Sequence, residues 1–83
     1  MARFYFHAQE GDQLHKDQHG TDLPDLSAAR QEAILAAREV LCHAIKAGQP
    51  KVPEAFVIAD EAGRMVDVLP LAAVLPDSLK SKS

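Results

Sequence analysis

The segment Leu26–Ala47 constrains the fold most, because it has the features of one long amphipathic helix in the middle of the chain. Pro24 disfavours helical geometry at the residue before it. Asp25 can accept hydrogen bonds from the first free amides of the helix, and Ser27 is the alternative cap. Gly48 indicates the end, since glycine adopts the left-handed conformation that commonly terminates helices. The sequence therefore predicts a helix with a strand-forming segment on each side.

The predicted helix has one apolar stripe that would pack against a sheet. At about 100° per residue, this stripe is rich in alanine, which permits close packing. It consists of Leu26, Ala29, Ala33, Ala37, Val40, Leu41 and Ala44. Leu35 and Cys42 instead project near the polar side of the helix. They are interpreted either as scattered exposed apolar residues or as a seam for self-association.

The chain before the helix predicts a β-hairpin. Residues Arg3–Gln9 alternate, with Phe4 and Phe6 on one side of the strand and Tyr5 on the other. This period of two is typical of a half-buried strand. The sequence Glu-Gly-Asp at positions 10–12 predicts a turn, and 13–17 is expected to return as a second strand.

The register of this hairpin depends on where Leu14 lies. A three-residue loop centred on Gly11 places Leu14 opposite Ala8 on the buried side, whereas a two-residue loop places it on the side of His7. Because a shift of one residue exchanges the two sides of a strand, burial of Leu14 favours the three-residue loop. His7 and His15 are then expected to be cross-strand neighbours.

The chain after the helix predicts a second hairpin. Ala55–Ala59 is rich in strand-forming residues, Gly63 suits the turn, and a strand from Arg64 ends at Pro70. We therefore predict an α+β fold of order β-β-α-β-β, with a single long helix on one face of a four-stranded antiparallel sheet. The other face stays open. Residues 1–76 are expected to form one domain, and residues 77–83 a flexible C-terminal tail.

Composition narrows the classes of protein to which the chain can belong. A chain of 83 residues makes a small core, and a homodimer would add buried area. The net charge of −3 argues against nucleic-acid binding, which relies on clustered cations. The single Cys42 fits a reducing compartment. No apolar run reaches membrane-spanning length and no signal peptide is evident, so a cytoplasmic protein without membrane contact is expected.

Three histidines are the only candidates for a metal site. His15 and His19 flank Asp17, and the favoured register places His7 beside His15. Imidazole and carboxylate groups that converge at short range suit transition metals. The spacing matches no established ligand pattern, so surface or strand histidines are the favoured interpretation and no metal is assigned.

Catalytic chemistry finds little support. Cys42 and His43 are adjacent in a predicted helix, where neighbouring side chains point about 100° apart and cannot form a nucleophile–base pair. Asp60 and Glu61 are residues that turns commonly contain. The sequence predicts no enzyme and no cofactor.

Several short motifs resemble a family of short stand-alone bacterial proteins that carry a domain of unknown function. The resemblance runs from about Arg3 to Leu71. The motifs are Arg3-Phe4-Tyr5-Phe6-His7, then Leu23-Pro24-Asp25-Leu26 with Ala28-Ala29-Arg30, and Phe56 with Asp60-Glu61-Ala62-Gly63-Arg64, Val68 and Pro70. It implies a small independent protein and brings no activity, cofactor or catalytic residue.

Three hypotheses of function follow, in order of preference. The first is a non-enzymatic interaction module, homodimeric or bound to another protein, that uses the open sheet face or a sheet edge. Its candidate contact residues are Tyr5, His7, Leu35 and Arg64. The second is a regulatory or antitoxin-like partner that contacts nucleic acid, and the third a weak metal site at His7, His15 and His19.

Overall fold

A computed structural model describes residues 1–49 and 51–76, so the predicted tail at 77–83 lies outside the described residues. The elements follow one another as three strands, one helix and two strands, with a short 3₁₀ helix at the end. They are β1 (Ala2–Glu10), β2 (Gln13–His15), β3 (Thr21–Leu23), α1 (Leu26–Ala47), β4 (Ala55–Ala59), β5 (Met65–Pro70) and the 3₁₀ helix Leu71–Val74.

The helix α1 has the bounds that the sequence predicts, and its caps explain why. The carboxylate of Asp25 accepts a hydrogen bond from the backbone N–H of Ala28 at 2.9 Å, so Asp25 rather than Ser27 is the N-cap. At the other end Gly48 adopts the left-handed conformation, and its N–H donates to the last carbonyls of the helix. Local signals at both ends thus fix α1.

The strands form one antiparallel sheet in the order β2-β1-β4-β5, and β3 also pairs with β1. The predicted α+β architecture is confirmed, with one long helix beside an antiparallel sheet. The third strand was not predicted. It pairs Thr21 with Phe4 and Leu23 with Ala2, at the start of β1, whereas β2 pairs with the end of β1.

The predicted register of the first hairpin is wrong. Ala8 pairs with His15 and Gln9 with Leu14, around a two-residue loop at Gly11 and Asp12. Gly11 has φ +60°, and glycine with positive φ at the first loop position is typical of tight two-residue hairpin turns. His15 therefore lies opposite Ala8, and the expected contact between His7 and His15 across the strands does not form.

The core lies between α1 and one face of the sheet. The buried helix positions are alanines, and the large side chains come from the sheet, so helix and sheet approach closely. Two clusters fill this layer: Phe4, Ala29, Ala33 and Ile58 in one, and Ala37, Phe56 and Leu71 in the other. Among the described residues, Ile58 is the largest side chain that is completely buried.

Candidate interaction surface

The face of the sheet that points away from α1 is the candidate functional surface, and we call it the open face. Strand side chains alternate between two faces, and the core residues of β1 and β4 point toward the helix. The intervening side chains form the open face: Tyr5, His7, Gln9, Leu14, Val57, Ala59, Met65 and Val68. No helix or strand within residues 1–49 and 51–76 covers it.

The open face is apolar at positions where a solvated sheet would present polar groups. Met65 is 65% exposed, Val68 43% and Leu14 40%. Single exposed apolar residues are common on protein surfaces, whereas contiguous apolar patches mark contact sites. Met65 and Val68 lie near each other on β5 and form a small apolar patch, whereas Leu14 lies on β2, with β1 and β4 between them.

A shallow hollow lies within the open face. Its volume is about 450 Å³, and its floor is formed by the small residues of the central strand β4, Val57 and Ala59. Bulkier side chains on the flanking strands form the walls. The lining comprises His7, Gln9, Leu14, Lys16, Val57, Ala59, Gly63 and Met65. The rings of Tyr5 and His7 stack, with centroids 6.3 Å apart, and stiffen the β1 wall.

The outer edge of β5 is poorly suited to pair with another strand. Leu71 N–H donates to the carbonyl of Glu54 at 2.9 Å, and hydrogen-bonded pairs alternate along an antiparallel ladder. Val68 and Pro70 therefore direct their backbone groups outward. The N–H of Val68 donates to Asp67 Oδ1 at 2.8 Å, and Pro70 has no N–H. Such features protect natural sheet edges from pairing.

Asp17 fills the gap between β2 and β3 on the side of β1 that faces away from β4. Its Oδ2 accepts a hydrogen bond from the backbone N–H of Phe6 at 3.2 Å, in the gap left between the two short strands. Its Oδ1 accepts from the N–H groups of His19 and Gly20. A carboxylate thus takes the place of a strand partner for β1.

The environment of Asp17 lowers its pKa. Burial acts to raise it, but the backbone N–H groups of His19, Gly20 and Phe6 together favour the charged form, so the pKa lies below the ordinary value of 3.8. At β5, the hydrogen bond from Arg30 lowers the pKa of Asp67. Asp17, beside β1, and Asp67, at the edge of β5, are therefore both held in their charged form.

The structure separates the three histidines that were considered as metal ligands. The Nδ1 atom of His7 is occupied, because it accepts a hydrogen bond from the N–H of Asp17 at 3.0 Å. His15 and His19 are exposed, and His15 lies on the other face of the sheet. In the part of the chain that the structure describes, no three His, Cys, Asp or Glu side chains converge as a metal site would require.

The four predicted contact residues do not share one surface. Tyr5 and His7 lie on the open face, and Arg64 lies at its rim beside Gly63, paired with Asp60 at 3.5 Å. Leu35 is 52% exposed on the outer side of α1, so it lies on the opposite side of the molecule. Leu14, Met65 and Val68 are also exposed on the open face, and the sequence did not single them out.

A second apolar surface lies beside the end of α1. A groove of about 300 Å³ runs between the helix and the segment that follows the 3₁₀ helix. It is lined by Arg38, Leu41, Cys42, Ile45, Val74, Leu75 and Pro76. Ile45 is 72% exposed there, and Cys42 carries a free, exposed thiol. This groove is separate from the open face.

The fold and its uncovered sheet define a small α+β protein with one helix on one face of an antiparallel sheet. The chain belongs to the family described as a domain of unknown function, DUF6894, whose model matches residues 3–72. No curated protein and no solved structure matches it. Over the described residues, no helix combines the length and the apolar character that a bilayer crossing requires.

Proposed function

We propose that this protein is a small non-enzymatic interaction module that binds protein through its open face. The observation that carries the proposal is a sheet face without a cover that exposes Met65 and Val68 on β5, Leu14 on β2 and the hollow between them. The outer edge of β5 supports the same conclusion. Because the outward N–H of Val68 already has a partner and Pro70 has no N–H, contact through side chains on the face is favoured over strand addition at this edge.

Charge supports protein rather than nucleic acid as the partner. Arg3, Arg30 and Arg64 are each paired with an aspartate, so much of their charge is neutralised locally. Binding to a phosphate backbone relies on cations that are free to replace counterions. The exposed, unpaired thiol of Cys42 also fits a protein that works in the cytoplasm, where thiols stay reduced.

Site-specific photocrosslinking in cells of the source organism tests this proposal. A photoreactive phenylalanine at Val68 reports on the open face, and the same residue at Leu35 reports on the outer side of α1. We expect a discrete protein adduct from position 68 that disappears when Met65→Lys is added, and no such adduct from position 35. No adduct from position 68, or the same adducts from both positions, would contradict the proposal.

A further inference from the structure

We propose that the partner of the open face is a second copy of this chain, in a two-fold arrangement in which Met65 of each copy fills the hollow of the other. This inference rests on the proposed function and specifies its partner. It depends on the shape of the face, on its polarity and on the area that it offers.

The open face carries a protrusion and a hollow side by side. Met65 is 65% exposed on β5, and its flexible side chain rises at the rim of the hollow whose floor is Val57 and Ala59. In a two-fold contact the same patch is used by both subunits, so a protrusion on one copy meets a recess on the other. The open face meets this requirement because both features lie on it.

The polarity of the face fits the same arrangement. The β5 side of the patch is apolar, with Met65 and Val68, whereas the β1 side presents the amphipathic side chains of Tyr5 and His7. A two-fold axis that runs parallel to the strands places the apolar β5 side over the β1 side of its partner. Tyrosine and histidine rings offer methionine an apolar contact while their polar atoms stay near the rim.

The area of the open face limits how tightly two copies can associate. Four strands about 4.8 Å apart, each about five residues long at about 3.3 Å per residue, give a footprint of roughly 300 Å². With protruding side chains, two such faces bury on the order of 1,000 Å² in total, at the low end of specific interfaces. The dimer is therefore expected to be transient, with a dissociation constant in the micromolar range or weaker.

The core of the monomer consists largely of small side chains, so association of two copies should also stabilise the fold. Of the nine buried apolar residues in the described chain, five are alanine. A second copy would bury Met65, Val68 and Leu14 in addition. Because a partner that binds only the folded state stabilises it by mass action, the thermal midpoint should rise with protein concentration.

Sedimentation velocity on the full chain, from low micromolar to near-millimolar concentration, tests the inference. Met65→Lys is compared with Ile45→Lys, because Ile45 is similarly exposed but lies in the groove beside α1. We expect wild type and Ile45→Lys to shift reversibly toward twice the monomer mass. Met65→Lys should associate at least about tenfold more weakly while unfolding at the same temperature when dilute.

Three outcomes would overturn the inference: a wild-type protein that stays monomeric throughout, equal association of both variants, or loss of association only in Ile45→Lys. The crosslinking experiment separates this result from a failure of the proposed function. A monomeric protein whose position 68 still crosslinks to a different protein keeps the interaction module and excludes the second copy. A monomeric protein without any adduct at position 68 contradicts both.

Discussion

The backbone N–H of Asp17 donates a hydrogen bond to the ring nitrogen Nδ1 of His7 at 3.0 Å. The carboxylate of the same aspartate accepts the N–H of Phe6, the neighbour of His7 in β1. Asp17 thus binds β1 through both its side chain and its main chain. The open face depends on this contact, since it fixes the His7 wall of the hollow.

Replacement of the Asp17 carboxylate should destabilise the fold. In Asp17→Asn, one oxygen can still accept from His19 and Gly20, but the amide NH₂ would face the N–H of Phe6, donor against donor. We expect a loss of about 1 to 3 kcal/mol in the free energy of unfolding, measured by urea denaturation. Asp12→Asn, in the neighbouring turn, is the control and should change stability little. Equal effects of the two substitutions would argue against a special role for Asp17.

The stability of the protein should fall in acid. The folded-state pKa values of Asp17 and Asp67 lie below the ordinary value of 3.8. Their stabilising contribution is therefore fully present above about pH 4 and is lost as the pH drops through the lowered folded-state values. Urea unfolding at a series of pH values measures this loss. The profile of Asp17→Asn should be flatter than that of wild type, and identical profiles would contradict the assignment.

Substitution of Gly20 should test how closely its loop lies on β1. Gly20 has φ +72°, and a Cβ atom there would lie 2.8 Å from Arg3 Cγ and 2.9 Å from Tyr5 Cε2. Gly20→Ala therefore combines backbone strain with a steric clash, and we expect a loss of about 1 to 3 kcal/mol. Gly11→Ala has similar φ but open space around its Cβ, so it isolates the backbone part. Thermal or urea unfolding measures the stability of both variants, and Gly20→Ala should lose more stability than Gly11→Ala.

Enlarging the alanine face of α1 should force helix and sheet apart. Ala33 is completely buried against Phe4 and Ile58. Ala33→Leu adds three carbon atoms where no space is left, and overpacking of this kind costs about 1 to 3 kcal/mol. Ala47→Leu, at the exposed last residue of the helix, is the control. Comparable unfolding midpoints for the two variants would show that the layer is looser than described.

The parts of the fold that depend on local signals were predictable, and those that depend on distant partners were not. Asp25 and Gly48 define the ends of α1 within a few residues of sequence. The strand Thr21–Leu23 is too short to show alternation, and it exists because β1 extends beyond its other partner. The register predicted for the first hairpin is wrong because it places Leu14 on the buried face, whereas Leu14 lies on the open face.

The sequence around Asp17 contains a local signal for its role. An aspartate followed three residues later by Gly20 is a common pattern for a side chain that binds the backbone of its own loop. The second acceptor oxygen, which reaches Phe6, has no sequence signature because that partner lies 11 residues earlier. For the open face, alternation identified Tyr5 and His7, but a bulge in β5 after Met65 obscured the pattern there.

The blocked outer edge of β5 has a consequence for what happens when the protein is concentrated. Fibrillar growth needs an exposed strand that can recruit another chain, whose own free strand recruits the next. Here Asp67 binds the outward N–H of Val68 and Pro70 has none, so β5 lacks the backbone donors at which such recruitment would start. Crowding this chain should consequently give no thread-like aggregate that grows from the β5 edge.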